Sequence, residues 1–427
     1  MHYCTFIDCS RLEKRTHAAS ITGIDRVIQS YAHWLTNRVA PCHFIRHSRT
    51  EITLVNQETR FIPSSSERSL TQTLTDAWRQ YPKYRNSKKL LKRITEEKPS
   101  LEELDYSDLN DIVKNAYSNR YKCDPKLTKN FSEQNCVYFS ICHTVLTNKS
   151  YLDYLARFKK LRKIFFLHDL IPLDFPEHCR DLEDARHKLR VIHLFEYADH
   201  IIVNSQYTYD RLIFWQEKLD LPSKPITIIH IGVHLAHSNC ARFIQDRPYF
   251  VVLGTIEPRK NHQLLLDIWE HFSQTLPPED IPQLKIIGKR GWKIEELIKQ
   301  LDENTNIQPH IQEYNDMPDD EVWPILKGAN ALLFPSHVEG WGMPLVEALA
   351  MKIPAICSDI PALREAGQNI PAYIHNNDTA KWAETILNYA QIGSTTQNAQ
   401  IDKLSHFVLP TWEKHFTTVE DIINSLK

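Results

Sequence analysis

Glycine is scarce in this chain, with 10 in 427 residues and only Gly23 before Gly232. Glycine is the residue of choice where backbone takes a left-handed turn or approaches another group closely. In so sparing a chain each glycine suggests a required backbone position. Charge of one sign is also lacking: 51 Lys and Arg face 53 Asp and Glu. The formal net charge of -2 gives none of the basic character expected of a nucleic-acid partner. The nine cysteines are scattered and form no C-x-x-C. Several sit in apolar runs, as Cys142 does in "VYFSICHTVL" and Cys357 in "IPAICSDIP", so reduced core cysteines are expected rather than a disulfide framework or a zinc site. No stretch approaches the roughly 18 apolar residues of a membrane span. The opening "MHYCTFIDCSRLEKR" has no long apolar run of a signal peptide. A cytoplasmic protein is expected, peripheral on the inner face of the membrane if it docks at all.

What is present is ordinary globular material, 42% hydrophobic and 24% charged, long enough for two cores. Short apolar runs lead repeatedly into helical patterns. "YCTFID" precedes "GIDRVIQSYAHWL", where Ile24, Val27, Ile28, Tyr31 and Leu35 fall at helical spacing. "KIFFLHD" (163–169), "HIIVNSQ" (200–206) and "PITIIHIGV" (225–233) read as strands. The pattern restarts past residue 246 with "YFVVLGTIEPRKN", the helix "HQLLLDIWEHF", "LKIIGK", "ALLFPSH", the helix "MPLVEALAM" and "PAICSD". Strand–loop–helix alternation is the signature of parallel α/β sheets covered on both faces. The break near "HLAHSNCARFIQDRP" (234–248) predicts two doubly wound domains, residues 1–240 and 247–408, facing across a cleft.

Residues 50–135 differ: they are polar and glycine-free. Their segment "KYRNSKKLLKRITEEK" (83–98) carries six basic residues before two acidic ones. Two readings stay open for it, a solvated helix and a basic face against an anionic membrane.

The chemistry concentrates in "PSHVEGWGMPLVEALAM" (335–351), where Glu339 and Glu347 stand eight positions apart around Gly340-Trp341-Gly342. "ALLFPS" reads as a strand, so the residues from His337 to Met343 form the loop at its carboxyl end, where open α/β sheets bind ligands. Pro344 suits the first helical turn. The N–H groups of about Gly340 to Met343 then sit at a helix N-terminus, a ready anion site. Glu339 would stand beside that anion, and Glu347, one turn in, could accept hydrogen bonds from a ribose diol. Two carboxylates flanking an anion cradle suit a nucleotide-sugar.

A phosphate also needs cations. In "LGTIEPRKN" a strand ends at Leu253, Gly254 turns the chain, and Arg259 and Lys260 precede a helix. Arginine grips phosphate oxygens in pairs, and lysine supplies a compact charge. In "IIGKRGW" (286–292), Gly288, Lys289 and Gly291 serve a turn or a ligand equally well. His230, His234 and His237 lack acidic or cysteine neighbours and read as an interdomain turn rather than a metal cluster.

"EGWGMPLVE" resembles the E-x7-E element of the retaining glycosyltransferase family 4, whose members have the two-domain GT-B fold. "GTIEPRKNHQLLLDIW" is similar to the donor-phosphate segment of that family, "IIVNSQYTYDRL" to an amino-domain strand and helix, and "PAICSDIPALREAG" to the segment after the second glutamate. "TWEKHFTTVEDIINSL" resembles a closing helix (409–427) that crosses back onto the first domain. The resemblance implies that Arg259 and Lys260 hold the donor diphosphate and Glu347 the ribose. Glu339 and the loop of Gly340, Trp341, Gly342 and Met343 would position the transferred sugar. Trp341 itself reads more as packing than as chemistry. "TGID" (22–25) looks like the loop closing over the phosphates, which would account for Gly23. His168 in "FLHDLIP" would donate a hydrogen bond to developing negative charge. The implied activity is retaining transfer of a hexose from a nucleotide-sugar to a hydroxyl of a glycan or lipid-linked glycan, as in surface-polysaccharide mannosyltransferases. A GDP-mannose donor and no metal are expected. A degenerate glycan-binding or assembly subunit and a nucleotide-sugar 2-epimerase are the alternatives. The sequence departs from the family at Thr22-Gly23, where paired glycines are common, at Lys352, and in "HIGVH" (230–234).

Overall fold

The computed structural model describes residues 3–14, 22–38, 40–47, 51–55, 122–123, 125–234, 240–315 and 317–426. The basic segment 83–98 and His237 lie outside these residues. The first half is built on strands β1 (Cys4–Asp8), β2 (Cys42–His47), β3 (Glu51–Val55), β4 (Lys122–Cys123), β5 (Cys136–Ser140), β6 (Leu161–Leu167), β7 (His200–Val203) and β8 (Ile226–Ile228). Their order is β4-β3-β2-β1-β5-β6-β7-β8, parallel except for the antiparallel β2–β3 pair. The second half has β9 (Tyr249–Leu253), β10 (Gln283–Ile287), β11 (Ile311–Tyr314), β12 (Ala331–Phe334), β13 (Ala355–Ser358) and β14 (Ala372–Ile374), in the wholly parallel order β11-β10-β9-β12-β13-β14.

The central strands are apolar on both faces because both faces are covered. On β6, Phe165 packs with Tyr138, Leu152 and Leu194, while its neighbour Phe166 joins Tyr31, Phe139 and Ile202 on the opposite face. In the second sheet Val252 and Ile286 pack against Trp269 and Trp382, and Val251 and Leu332 against Leu326 and Leu349. The order reverses beside β1 and beside β9, and these switch points open clefts at the carboxyl ends of the strands.

The helix Gly23–Thr36 has a clear local cause. The Thr22 hydroxyl accepts from the Asp25 N–H and the Asp25 carboxylate from the Thr22 N–H, a reciprocal capping box. Val27, Ile28, Tyr31 and Leu35 line its buried face. Against that face packs the last helix, Trp412–Ser425, through Phe416, Val419, Ile422 and Ile423. Phe416 stacks on Trp34 at 4.6 Å, and His415 Nε2 lies 2.8 Å from the Tyr31 hydroxyl. The end of the chain therefore completes the core of the first sheet.

The strand expected over 225–233 is shorter, Ile226–Ile228. Ile229 still donates to Val203, but Val233 donates to Pro410 instead of to the sheet. The chain leaves β8 to pass between the two halves. There, a Cβ on Gly232 would lie 2.4 Å from the Trp412 nitrogen, which explains that glycine. Within 50–135 the described residues add β3, β4 and the helix Pro125–Glu133 to the first half. Among the described residues no helix is long and apolar enough to cross a membrane.

Candidate active site

The loops after β9 and β12, the strands flanking the second switch point, bring Arg259, Lys260 and Glu339 together. Gly254 adopts φ +128° and turns the chain toward Pro258–Lys260, and Asn261 in the left-handed region starts the helix His262–Thr275. Lys260 Nζ donates to Glu339 Oε1 at 2.6 Å, Arg259 Nη1 lies 2.8 Å from the same oxygen, and the Ser336 hydroxyl donates to it at 2.8 Å. Arg259 Nε also pairs with Glu257 at 2.5 Å. Burial pushes the Glu339 carboxyl up, but Arg259 and Lys260 outweigh it and hold it at about 2. Burial lowers Lys260 by more than Glu339 restores, because Glu339 is shared with Arg259, whose own charge also opposes the lysine. The ionisation of Glu339 therefore rests first on Arg259, which its carboxylate neighbours raise despite burial.

In this state the two cations face a carboxylate, where the sequence predicted open groups for a diphosphate. The reason is proximity: with Lys260 only 6% exposed, an unpaired ammonium there would carry a heavy desolvation cost.

The two glycines of the loop do different work. Gly342 caps the helix Met343–Ala350 with φ +102°, and a Cβ there would meet Leu363 Cδ2 at 2.6 Å. Gly340 is a point of contact between the two halves: its Cβ would lie 2.3 Å from the His168 carbonyl oxygen. Its own carbonyl accepts from the Ser205 hydroxyl at 2.7 Å. Among the described residues none accepts a hydrogen bond from the N–H groups of Gly340, Trp341, Gly342 or Met343. Trp341 is buried and stacks on His230 at 4.4 Å, the packing role the sequence suggested. Gly23 abuts the same helix, its Cβ position 3.0 Å from Met343 Sδ.

Glu347 sits one turn into the helix and pairs with Arg26 Nη1 across the cleft at 2.7 Å. His168 ends β6 beside Gly340. Its Nε2–H donates to the Ile141 carbonyl at 2.8 Å, and burial lowers the ring to about 4. The ring is therefore neutral, with Nδ1 left as an acceptor. This reverses the expected direction: in this state His168 can receive a hydrogen bond from a hydroxyl, but its one N–H already has a partner. Burial raises the neighbouring Asp169 carboxyl, while Arg259 pulls it down.

Sequence reasoning missed Arg26, Glu257, Asp169, Ser336 and Glu365. Each adjoins a quoted motif, but only the fold shows what it meets. Glu365 accepts from the Gln206 N–H at 2.8 and 2.9 Å and lies 2.8 Å from His230 Nε2, joining the halves. His234 Nε2 lies 2.8 Å from the Ser30 hydroxyl, so His230 and His234 bind separate partners. Among the described residues no group of three or more His, Cys, Asp or Glu is placed to hold a metal ion.

Residues 237–398 match the model of the family described as glycosyl transferases group 1. The matched segment is thus similar to that family. It carries every site residue of the second half. Over 266 residues the chain is 24% identical to the serotype-specific mannosyltransferase WbdA of Escherichia coli, covering 58% of this chain and 32% of that protein. It is 23% identical over 232 residues to the O-antigen chain mannosyltransferase RfbU of Salmonella typhimurium, covering 53% of this chain and 60% of RfbU. The chain thus spans about a third of WbdA. Among solved structures it resembles sucrose-phosphate synthase from Thermosynechococcus elongatus, with TM-score 0.62, 12% identity and coverage of 100% and 99%. The Anabaena HepE complex with UDP and glucose gives TM-score 0.59 at 12% identity, covering 100% of both chains. The two halves together have the GT-B fold.

Proposed function

We propose that the chain transfers a hexose, with retention at the anomeric carbon, from a nucleotide-sugar to a hydroxyl of a glycan or lipid-linked glycan in surface-polysaccharide synthesis. Mannose is favoured, because WbdA and RfbU are named mannosyltransferases. GDP-mannose is the donor tested first. The observation that carries the reading is the convergence of Arg259, Lys260 and Glu339 beside the open amides of a helix N-terminus, with Glu347 one turn further in.

In this reading the donor diphosphate competes with Glu339 for Arg259 and Lys260, and the amides of Gly340 to Met343 take its remaining oxygens. Glu347 accepts from the ribose diol. Glu339, held far below the usual carboxylate range, stays an anion and orients sugar hydroxyls by accepting their hydrogen bonds. His168 accepts one more through Nδ1. Nucleoside diphosphate leaves, the acceptor hydroxyl attacks on the same face, and the leaving phosphate takes its proton. The proposal calls for no metal ion, since the two cations and the helix N-terminus supply the positive field. Segment 83–98 would hold a lipid-linked acceptor's membrane by charge.

The test is a thermal-shift panel of UDP, GDP, ADP, CMP and dTDP with their sugar conjugates, on wild type and Glu347→Ala. One nucleotide should stabilise the wild type, with a smaller shift in the variant. Stabilisation by none of them, or equal shifts in both proteins, would sink the assignment.

A further inference from the structure

We propose that Arg26 is a donor-positioning residue: its guanidinium, paired here with Glu347, moves to the donor's diphosphate when donor binds. The inference rests on the donor-site reading above and adds a residue of the opposite half to it. Arg26 is one turn into the helix Gly23–Thr36, and Glu347 is one turn into the helix Met343–Ala350. The two helix starts face each other across the Met343 side chain, whose Sδ is 3.0 Å from the Gly23 Cβ position. Arg26 thus reaches the same helix whose first amides, from Gly340 to Met343, would meet a phosphate.

Three further observations favour an exchange over a fixed strut. First, Arg26, Trp323, Met343, Glu347, Met351 and Trp412 line one pocket where the two halves meet. Any separation of the halves parts Arg26 from Glu347. Second, Arg26, Arg259 and Lys260 are each paired with a carboxylate, Glu347, Glu257 or Glu339, and none is left over for a diphosphate without an exchange. Arg259 and Lys260 meet their carboxylates within the second half, whereas the partner of Arg26 lies across the cleft. Arg26 is thus the cation that domain movement itself can release. Third, its guanidinium lies 5.3 Å from the Trp323 ring centroid, a flat apolar surface over which it can swing. Ribose hydroxyls donating to Glu347 weaken its hold on Arg26, while the diphosphate adjacent offers charged oxygens that a guanidinium binds in pairs.

The experiment is calorimetric titration of GDP, guanosine, UDP and uridine into wild type, Arg26→Ala, Arg26→Gln and Arg26→Lys, with thermal melts to establish folding. For whichever diphosphate the wild type binds, Ala and Gln should weaken it about tenfold or more, the range of a charge-assisted hydrogen bond. The matching nucleoside should bind unchanged or more tightly, because Glu347 is no longer occupied. Lys should recover part of the diphosphate affinity. Equal loss for nucleoside and diphosphate, or no loss for either, overturns the assignment of Arg26 while leaving the donor site standing. Failure of the wild type to bind either diphosphate overturns the donor site, and Arg26 falls with it.

Discussion

One oxygen of Glu339 meets Arg259, Lys260 and the Ser336 hydroxyl, all in a nearly water-free corner. A buried charge is tolerated when paired and costly when its partner is removed. Glu339→Ala would take from buried Lys260 and half-buried Arg259 the carboxylate they share, and Glu339→Gln would turn an amide toward them or lose the charge. Either substitution should cost about 3–5 kcal/mol of folding stability, read by urea denaturation at neutral pH. A loss below about 1 kcal/mol would mean that water, not Glu339, satisfies the pair. Activity lost in these variants therefore needs a stability measurement beside it. The pairing was only half legible: the residue types and their loops could be read, but a carboxylate 79 positions from its lysine becomes a neighbour only through the β9–β12 pairing.

Among the elements, the turn between β12 and its helix was read correctly as a loop at a carboxyl edge, because a strand, two glycines and a proline define it locally. Its reason for glycine was not legible. Gly342 serves the turn, yet Gly340 is required by the His168 backbone, and no local pattern reports a contact between two halves of a fold. A methyl group there would sit 2.3 Å from a carbonyl oxygen that cannot yield as a side chain would. Gly340→Ala should push the loop from β6, cost about 1–3 kcal/mol, and open the cleft. Small-angle scattering should report a larger radius of gyration for the variant, together with reduced turnover. Gly393→Ala is the control: its φ of +77° adds a backbone strain that Gly340 lacks, but nothing lies within 4 Å of the added carbon. Unchanged scattering and turnover in Gly340→Ala would show that the contact is not what keeps the halves closed. Strand lengths misread at β8 have a similar cause, since the apolar run continues after its hydrogen bonds have passed from the sheet to Pro410.

The whole molecule joins two sheets, a connecting loop and a returning helix, and buried histidines occur in both halves and in the helix. His168 and His187 belong to the first half, His262 to the second, and His415 to the closing helix where it meets Tyr31 and the His230 carbonyl. Burial lowers all four: His168 and His415 to about 4, His187 and His262 to about 3. His262 has neither ring nitrogen hydrogen-bonded. The sign of the linkage follows. Unfolded histidine takes up a proton near pH 6.5, while these folded rings resist until pH 4 or lower, so protons bind preferentially to the unfolded chain. Stability from the four is complete above about pH 6.5 and declines as pH falls toward the folded values. At pH 4.5 each group has cost about 2–3 kcal/mol, and together on the order of 10 kcal/mol. That equals the whole stability of an ordinary domain. The protein should therefore unfold between about pH 6 and 4.5, with both halves and the closing helix failing together because each holds at least one such ring. Near-ultraviolet circular dichroism during acid titration is the measurement. A spectrum still native at pH 4.5 would mean that these rings take up protons in the folded state, and that the packing around them admits water.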